Sequence, residues 1–566
     1  MKSRAQSLEL AVANKFDVVV IGGGIVGAGC AQDAASRGLS CLLLEKEDFS
    51  SGTSSKTTKL IHGGLRYLEQ FQFRLTRELC KERALLEQLA PHLVKDFSFI
   101  MPINHENKMF SIKARLGLTL YDVLSGQITS LRRHENLSVK ETLEAAPSLN
   151  NRTLSGGLKF HDCISDDSRM VVEVVKSAEA MGCVVVNYLE AKDFECENGL
   201  VTKVVARDRY SGSDFLIECA SLINAAGVWS DQLASKMNSV QKNKVIPAKG
   251  THIMVPLSAF ETNTALFLPT EDGRYVFVVP WQKALMIGTT DTNYSGSIDE
   301  ALPTTEEIDY LLSVVNKYAN KDKLNRSDVI AAWAGLRPLV GGHDRELANT
   351  AESSEPSAST ANLSREHFLF EGPENVVGLI GGKLTNYRIL AGHVVDKIVA
   401  KLPEAERQKA EPSKTHDVML GGWKNKSDYL TASSEISTKA RALGVEPASL
   451  DHLLTSYGAE AKQILEMIEQ DPLLGKRISS EFPPLLAEVI YVVKNEMAVS
   501  LEDILFRRIR LGLVHHKECQ LAASKVARLV QSVLGWDDSR VEAEIQAIMD
   551  TIDKHTVFES KKKEVV

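Results

Sequence analysis

Paired cysteines, long apolar runs and surplus positive charge are all scarce in this 566-residue chain. Its eight cysteines (Cys30, Cys41, Cys80, Cys163, Cys183, Cys196, Cys219 and Cys519) form no CxxC pair, and no histidine cluster lies near them at zinc-ligand spacing. Neither a disulfide framework nor a structural metal is therefore expected, and the thiols should be reduced and mostly buried. No stretch reaches the roughly 18 apolar residues that a membrane span requires, so any membrane contact should be peripheral. Met1–Lys15 carries charges without an apolar run, so no secretory signal is expected and the chain should work inside the cell. A formal net charge of −8 argues against a general nucleic-acid binder, while leaving room for local basic pockets.

Hydrophobic residues make up 44% of the chain and charged residues 25%, enough for large cores. The length suggests about three domains at roughly 100–200 residues each. Phe16–Ile21 (FDVVVI) is a short apolar run ending in glycines, as in a buried parallel strand. Ile25–Arg37 follows as a predicted helix and Ser40–Leu44 as a second strand, closed by Glu45. Gly22, Gly23, Gly24 and Gly27 form the connecting loop, in the pattern GxGxxG. Gly22 permits a tight turn, Gly24 lets a pyrophosphate approach the backbone, and Gly27 allows close helix–strand packing. The helix start offers free N–H groups to phosphates, and Glu45 can accept hydrogen bonds from ribose hydroxyls. This unit is expected to bind a dinucleotide rather than to be a simple glycine-rich turn; it does not choose between NAD and FAD.

Further along, Arg74–Leu89 and Met170–Ala180 have helical spacing and Cys183–Asn187 is strand-like. Val201–Asp208 with Phe215–Cys219 looks like a hairpin, Leu222–Ala226 then runs into Gly227, and these pieces are expected to return to the first sheet. Between about 236 and 370 the pattern alternates, with strands such as His252–Pro256, Tyr275–Pro280 and Leu285–Gly288, as in an antiparallel sheet. Ala351–Ala361 is low-complexity and reads as a surface loop. Val376–Ile380 and a helix from Asn386 to Lys401 precede a linker near Pro403–Pro412, and from about 428 onward the spacing is helical. Met109–Leu124 mixes basic and apolar residues at helical spacing. It suits either an anionic membrane surface or the protein core.

The segment SGTSSKTTKLIHGGLRYLE (51–69), with GGGIVGAGCAQDAASRGLSCLLLEKEDF before it, closely resembles the FAD-dependent glycerol-3-phosphate dehydrogenases. The likeness recurs at AKGTHIMVP (248–256), AGLRPLV (334–340), LSREH (363–367), GGKLTNYR (381–388) and EMAVSLEDILFRRIRLG (496–512). Val26, where many relatives have Asn, and Asn386, where Thr is usual, depart from the pattern. The resemblance implies an α/β FAD-binding Rossmann-like domain of the D-amino-acid oxidase type, a β-rich substrate domain and an α-helical C-terminal domain. Their expected extents are 15–90 with 160–235 and 370–402; 91–159 with 236–369; and 413–560.

The implied activity is oxidation of sn-glycerol 3-phosphate to dihydroxyacetone phosphate by an enzyme on the inner face of the cell membrane that passes electrons to a quinone. Some relatives use oxygen instead. Arg66, Arg337 and Arg365 stand in motifs where contacts to the phosphorylated substrate are expected, because guanidinium forks match phosphate oxygens. Tyr67 either adds a phosphate hydrogen bond or packs at the domain junction. His252 is the candidate general base, with His62 as the alternative, and Arg337 can stabilise a developing alkoxide. Thr53, Ser54, Ser55, Lys59 and Leu60 are expected along the flavin and ribityl chain, and Ala226 and Gly227 where the cofactor approaches a strand end. Gly381, Gly382, Lys383, Leu384 and Thr385 are expected at the flavin's pyrimidine edge. Phe506–Arg510 (FRRIR) is read as structural or domain-linking. An amine or hydroxy-acid oxidase would need one arginine rather than several, and a flavin redox sensor would bind FAD without turnover. Dimerisation and acceptor docking both stay open for the C-terminal helices.

Overall fold

The computed structural model describes the chain except residues 107, 127–131, 238–243, 321–322, 342–366 and 557–566. Arg365, the low-complexity segment at 351–361 and the lysines at 561–563 lie outside the described residues. Eight strands form the first sheet. Its main path runs Phe368–Glu371, Val376–Ile380, Asp214–Asn224, Phe16–Ile21, Cys41–Leu44 and Val184–Val186. Phe16–Ile21 is parallel to both neighbours. Successive side chains point to opposite faces, and both faces are covered. Val18 and Val20 pack among the helices Ile25–Ser36, Asp167–Ala180 and Tyr387–Lys401. Val19 and Ile21 pack against the hairpin Leu189–Glu197/Leu200–Asp208 and the helix Arg4–Ala13. That two-sided burial explains why the strand reads as an unbroken apolar run.

One expectation is corrected here. Phe215–Cys219 and Leu222–Ala226 are not two strands but one, Asp214–Asn224. Its first half pairs antiparallel with Lys203–Arg207, and its second half pairs parallel with Phe16–Ile21. Burial changes along it from alternating to continuous, and this change mimics a break in the sequence.

The second sheet has ten strands, led by Lys244–Pro256, which pairs with Ala331–Gly341, Ala284–Gly288 and Thr292–Asn293. It continues through Tyr275–Trp281 and Ala265–Pro269 to Lys95–Asn104, Leu154–Ile164 and Leu60–Ile61. All its pairings are antiparallel except that of Ala265–Pro269 with Lys95–Asn104. From Lys426 onward the described chain is mainly helical. Those helices share one core with the second sheet: Leu453, Ile490 and Val526 belong with Phe99, Met254 and Trp333. No helix among the described residues is long and apolar enough to cross a membrane. All eight cysteines are free, and only Cys196 is exposed.

Candidate active site

The glycine loop ends the first strand beneath a cavity of ≈ 470 Å³. Gly22 has φ +110°, and a Cβ there would lie 2.6 Å from the Ala225 carbonyl oxygen. Gly27 packs so closely that a Cβ would lie 1.8 Å from the Gly22 oxygen. Gly24 caps the helix Ile25–Ser36, whose first N–H, at Ile25, donates to Ser54 Oγ at 3.0 Å. The Glu45 carboxylate accepts from the Gly23 N–H at 2.6 Å and from the Glu47 N–H at 2.8 Å. Burial pushes its pKa up, and those two N–H groups oppose the shift.

Gly22, Gly24, Glu45, Thr53, Ser54, Leu60, Ala226, Gly227, Gly382, Lys383, Leu384 and Thr385 all line this cavity. Gly381 and Gly382, with φ of +87° and +94°, form a turn that Asn386 closes by accepting the Lys383 N–H at 3.1 Å. Thr385 Oγ1 accepts the His62 N–H at 3.1 Å, tying that turn to the 60–64 segment. Val26 sits against the same turn, since a Cβ on Gly382 would lie 3.3 Å from its Cγ2. Val26 thus lines the cavity, while Asn386 is buried behind the turn that does.

Gly23, Gly27, Ser55 and Lys59 do not line it. The Lys59 ammonium points away from the cavity, 2.9 Å from both Asp167 oxygens and buried. Burial lowers its pKa to about 8, with Asp167 opposing. The Ser55 hydroxyl turns back to the Gly52 carbonyl.

Another wall of the cavity is built on two adjacent strands. Ala248, Gly250 and His252 alternate onto one face of Lys244–Pro256; opposite them stand Arg337, Gly335 and Trp333 of Ala331–Gly341. The facing glycines, Gly250 and Gly335, leave a trough in the sheet. A Cβ on Gly250 would lie 2.6 Å from the Arg337 guanidinium, and one on Gly335 would lie 2.8 Å from Lys56 Cβ. His252 closes one end. It is 2% exposed, stacks on Trp333 at 5.3 Å, and holds Nε2 3.0 Å from Thr58 Oγ1. Its Nδ1 is enclosed and has no hydrogen-bond partner among the described residues. Burial, helped by Lys59 and Arg337, holds its pKa well below the ordinary histidine value. Arg337 closes the other end, donating to Thr289 Oγ1 at 3.0 Å and to the Thr290 carbonyl at 3.3 Å.

Arg66 and Tyr67, on the short helix Leu65–Glu69, line the same cavity, and the Lys383 ammonium lies 4.9 Å over the Tyr67 ring. The structure adds wall residues that the sequence reading missed. Arg274 donates to the Asp291 carbonyl at 2.8 Å, and Tyr275 stacks on Phe267 at 4.2 Å. Lys56, Thr57 and Thr58 also face inward. Arg274 follows the turn sequence EDG, which carries no mark of a site; Gly250 and Gly335 in mid-strand were a usable signal, because glycine there often marks a close approach. His62 lines the cavity too, with its pKa lowered by burial.

Comparison with known proteins gives this geometry a family. Residues 17–362 match the model described as FAD dependent oxidoreductase, and 413–541 match the C-terminal domain of alpha-glycerophosphate oxidase. The chain is 34% identical over 558 residues to a glycerol-3-phosphate dehydrogenase of Synechocystis, covering 96% of this chain and 97% of that protein. The chain belongs to the FAD-dependent glycerol-3-phosphate dehydrogenase family. The Bacillus subtilis aerobic glycerol-3-phosphate dehydrogenase is 33% identical over 500 residues, 87% of this chain and 86% of that one. The crystal structure of the Bacillus halodurans glycerol-3-phosphate dehydrogenase complexed with FAD superposes with a TM-score of 0.78 at 28% identity, covering 97% of both chains. In this dehydrogenase, then, the cavity joins a dinucleotide-type cradle to a cationic pocket. The positive-φ turn at Gly22, the Glu45 carboxylate and the Ser54 hydroxyl at the helix start suit the adenosine and pyrophosphate of FAD.

Proposed function

We propose that this dehydrogenase oxidises sn-glycerol 3-phosphate at C2 to dihydroxyacetone phosphate and passes the electrons to a membrane quinone. The observation that carries the reading is the trough at Gly250 and Gly335, flanked by His252 and Arg337, in one cavity with Arg66, Arg274 and Lys383. Arg66 and Lys383, with Arg274 held beside them by Asp272, suit a dianionic phosphate better than a lone carboxylate, and Arg337 is left for the alcohol.

FAD would be held by Gly22, Gly24, Glu45, Ser54, Ala226 and the 382–385 turn, and when bound it supplies the acceptor for the C2 hydrogen and its electron pair. The chain's own groups do the rest. Arg66, Tyr67, Arg274 and Lys383 bind and orient the phosphate. Arg337 faces the oxygen at C2 and stabilises charge that develops there. Because Nδ1 of His252 is enclosed, Nε2 takes the hydroxyl proton, with Thr58 Oγ1 beside it on the cavity wall. A ring kept neutral by its burial is ready to accept that proton.

Support for a membrane acceptor comes from the helix Lys108–Ser125. Ile112, Leu116 and Val123 form one exposed apolar stripe, and Lys113 and Arg115 flank it on either side. Phe71, at 78% exposure, and Phe73 lie in the turn and helix that pack beside it. An apolar face bordered by cations suits the surface of an anionic bilayer, where a quinone partitions. Oxygen as acceptor is the second reading, favoured by the match of 413–541 to an oxidase domain. Turnover of glycerol 3-phosphate, followed as dihydroxyacetone phosphate, should proceed with a quinone analogue in the absence of oxygen and rise on anionic vesicles. Turnover that needs oxygen and yields peroxide would instead select the oxidase.

A further inference from the structure

All three arginines of the segment FRRIR reach into the cofactor-binding half of the molecule. The segment lies on a π-helical turn, Asp503–Arg508, followed by Arg510 in a left-handed conformation with φ +68°. Arg508 donates to both oxygens of Asp48, at 2.7 and 3.0 Å. Arg510 is 1% exposed and donates through one nitrogen, Nη2, to Asp167 Oδ1 at 2.8 Å and to the Ser55 carbonyl at 3.1 Å.

Those two acceptors control the segment between them. The Asp167 carboxylate accepts from the Thr57 N–H at 3.0 Å, from the Thr57 hydroxyl at 2.8 Å and from the Lys59 ammonium. Lys59 also reaches the Ser55 carbonyl at 3.2 Å. Residues 55, 57 and 59 are therefore all fastened to one buried cluster, and the residue enclosed between the last two is Thr58. The hydroxyl of Thr58 is the hydrogen-bonding neighbour of His252 Nε2.

We propose that Arg510 is a positioning residue for the oxidation: from the C-terminal domain it sets the placement of Thr58, and through it the ring of His252. The inference rests on the reading of His252 as the base. It assigns the C-terminal domain a part in catalysis, since removing the guanidinium leaves Lys59 and Asp167 to rearrange in a buried site. Lys59 would then pull Asp167 and the 57–59 backbone toward itself, and Thr58 would lose its register with Nε2. Substrate phosphate contacts from Arg66, Arg274 and Lys383 lie on other segments and should be untouched.

The test is a double-mutant cycle in the full-length holoenzyme, with kcat, KM and FAD content measured for Arg510→Gln, Thr58→Val and the pair. The expected result is a fall in kcat on the order of 10-fold or more for each single variant, with KM for glycerol 3-phosphate and FAD content nearly unchanged. The pair should be no worse than either single variant, because both break one connection. Arg510→Lys should recover much of kcat by restoring the charge at Asp167. Effects that multiply in the pair, or a loss of kcat that only follows lost FAD, would overturn the inference and leave Arg510 a structural residue. His252→Gln, run alongside, separates the two claims. If it keeps wild-type kcat, the reading of the base has failed and the inference falls with it. If it loses kcat while Arg510→Gln does not, only the positioning inference is overturned.

Discussion

His252 and Arg337 show how neighbouring groups set a side chain's chemistry. Burial lowers the His252 pKa, and two nearby cations lower it further. A lowered pKa means that the ring stays neutral to lower pH than a free histidine. The acid limb of kcat/KM in the free enzyme should therefore fall below pH 6.5, and activity should be flat as pH drops through that value. A pH–rate profile with its acid midpoint above 6.5 would contradict this assignment of the base. Arg337 donates to Thr289 and Thr290 rather than to the glycine loop. Arg337→Ala is expected to lower kcat on the order of 100-fold or more with FAD retained. Flavin absorbance of the purified variant reads this directly, and joint loss of FAD and activity would place the residue on the cofactor side.

At the scale of elements, the site depends on two strands carrying glycine at facing positions. Gly250→Ala would push a methyl into the Arg337 guanidinium, the tip of a long side chain, and into the Thr289 hydroxyl it donates to. The fold should survive, with a modest change in thermal midpoint, while kcat/KM falls on the order of 10-fold as the guanidinium is displaced. Equal activity in this variant would mean that the trough is not where the substrate reacts. Elements defined by local pattern were legible: the first strand, the glycine loop, Glu45 and the helices near 74–89 and 387–401 all follow from short-range spacing. Elements defined by partners were not. Asp214–Asn224 was read as two because it changes partner half-way. The ion pair of Lys59 with Asp167 could not be read either, because the two lie 108 residues apart. Arg274 gave no signal because an Asp–Gly–Arg turn held by the Asp272 carboxylate looks like any surface turn, and its contact with the Asp291 carbonyl is a backbone contact that no sequence motif encodes.

The whole molecule is joined by buried charge as well as by apolar contact. Arg169 pairs with Glu173 at 2.8 Å and with Glu496 at 2.6 Å, connecting the helix Asp167–Ala180 to the C-terminal region. Lys176 reaches Glu173, Glu460 and Glu496, so that carboxylate cluster is neutralised by side chains. Burial alone would raise the Glu496 pKa; Arg169, Lys176 and Arg508 outweigh it and hold the group at about 2, against 4.5 unperturbed. Its contribution to stability is therefore complete above about pH 4.5 and lost as pH falls toward 2. Glu496→Gln should cost about 3–5 kcal/mol in urea unfolding at neutral pH, since it strands buried cations. The gap to the wild-type protein should narrow below pH 4.5. A pH-independent gap would mean that lost packing, not charge, explains the cost.

These buried pairs join the described C-terminal helices to the helix Asp167–Ala180 of the first sheet's layer. The most direct measurement is anaerobic mixing of the purified flavoprotein with glycerol 3-phosphate, following the flavin's visible absorbance. Rapid bleaching with glycerol 3-phosphate, and none with glycerol, is the result expected of a site built for a phosphorylated alcohol. An unbleached spectrum in protein that carries its full complement of FAD would contradict it.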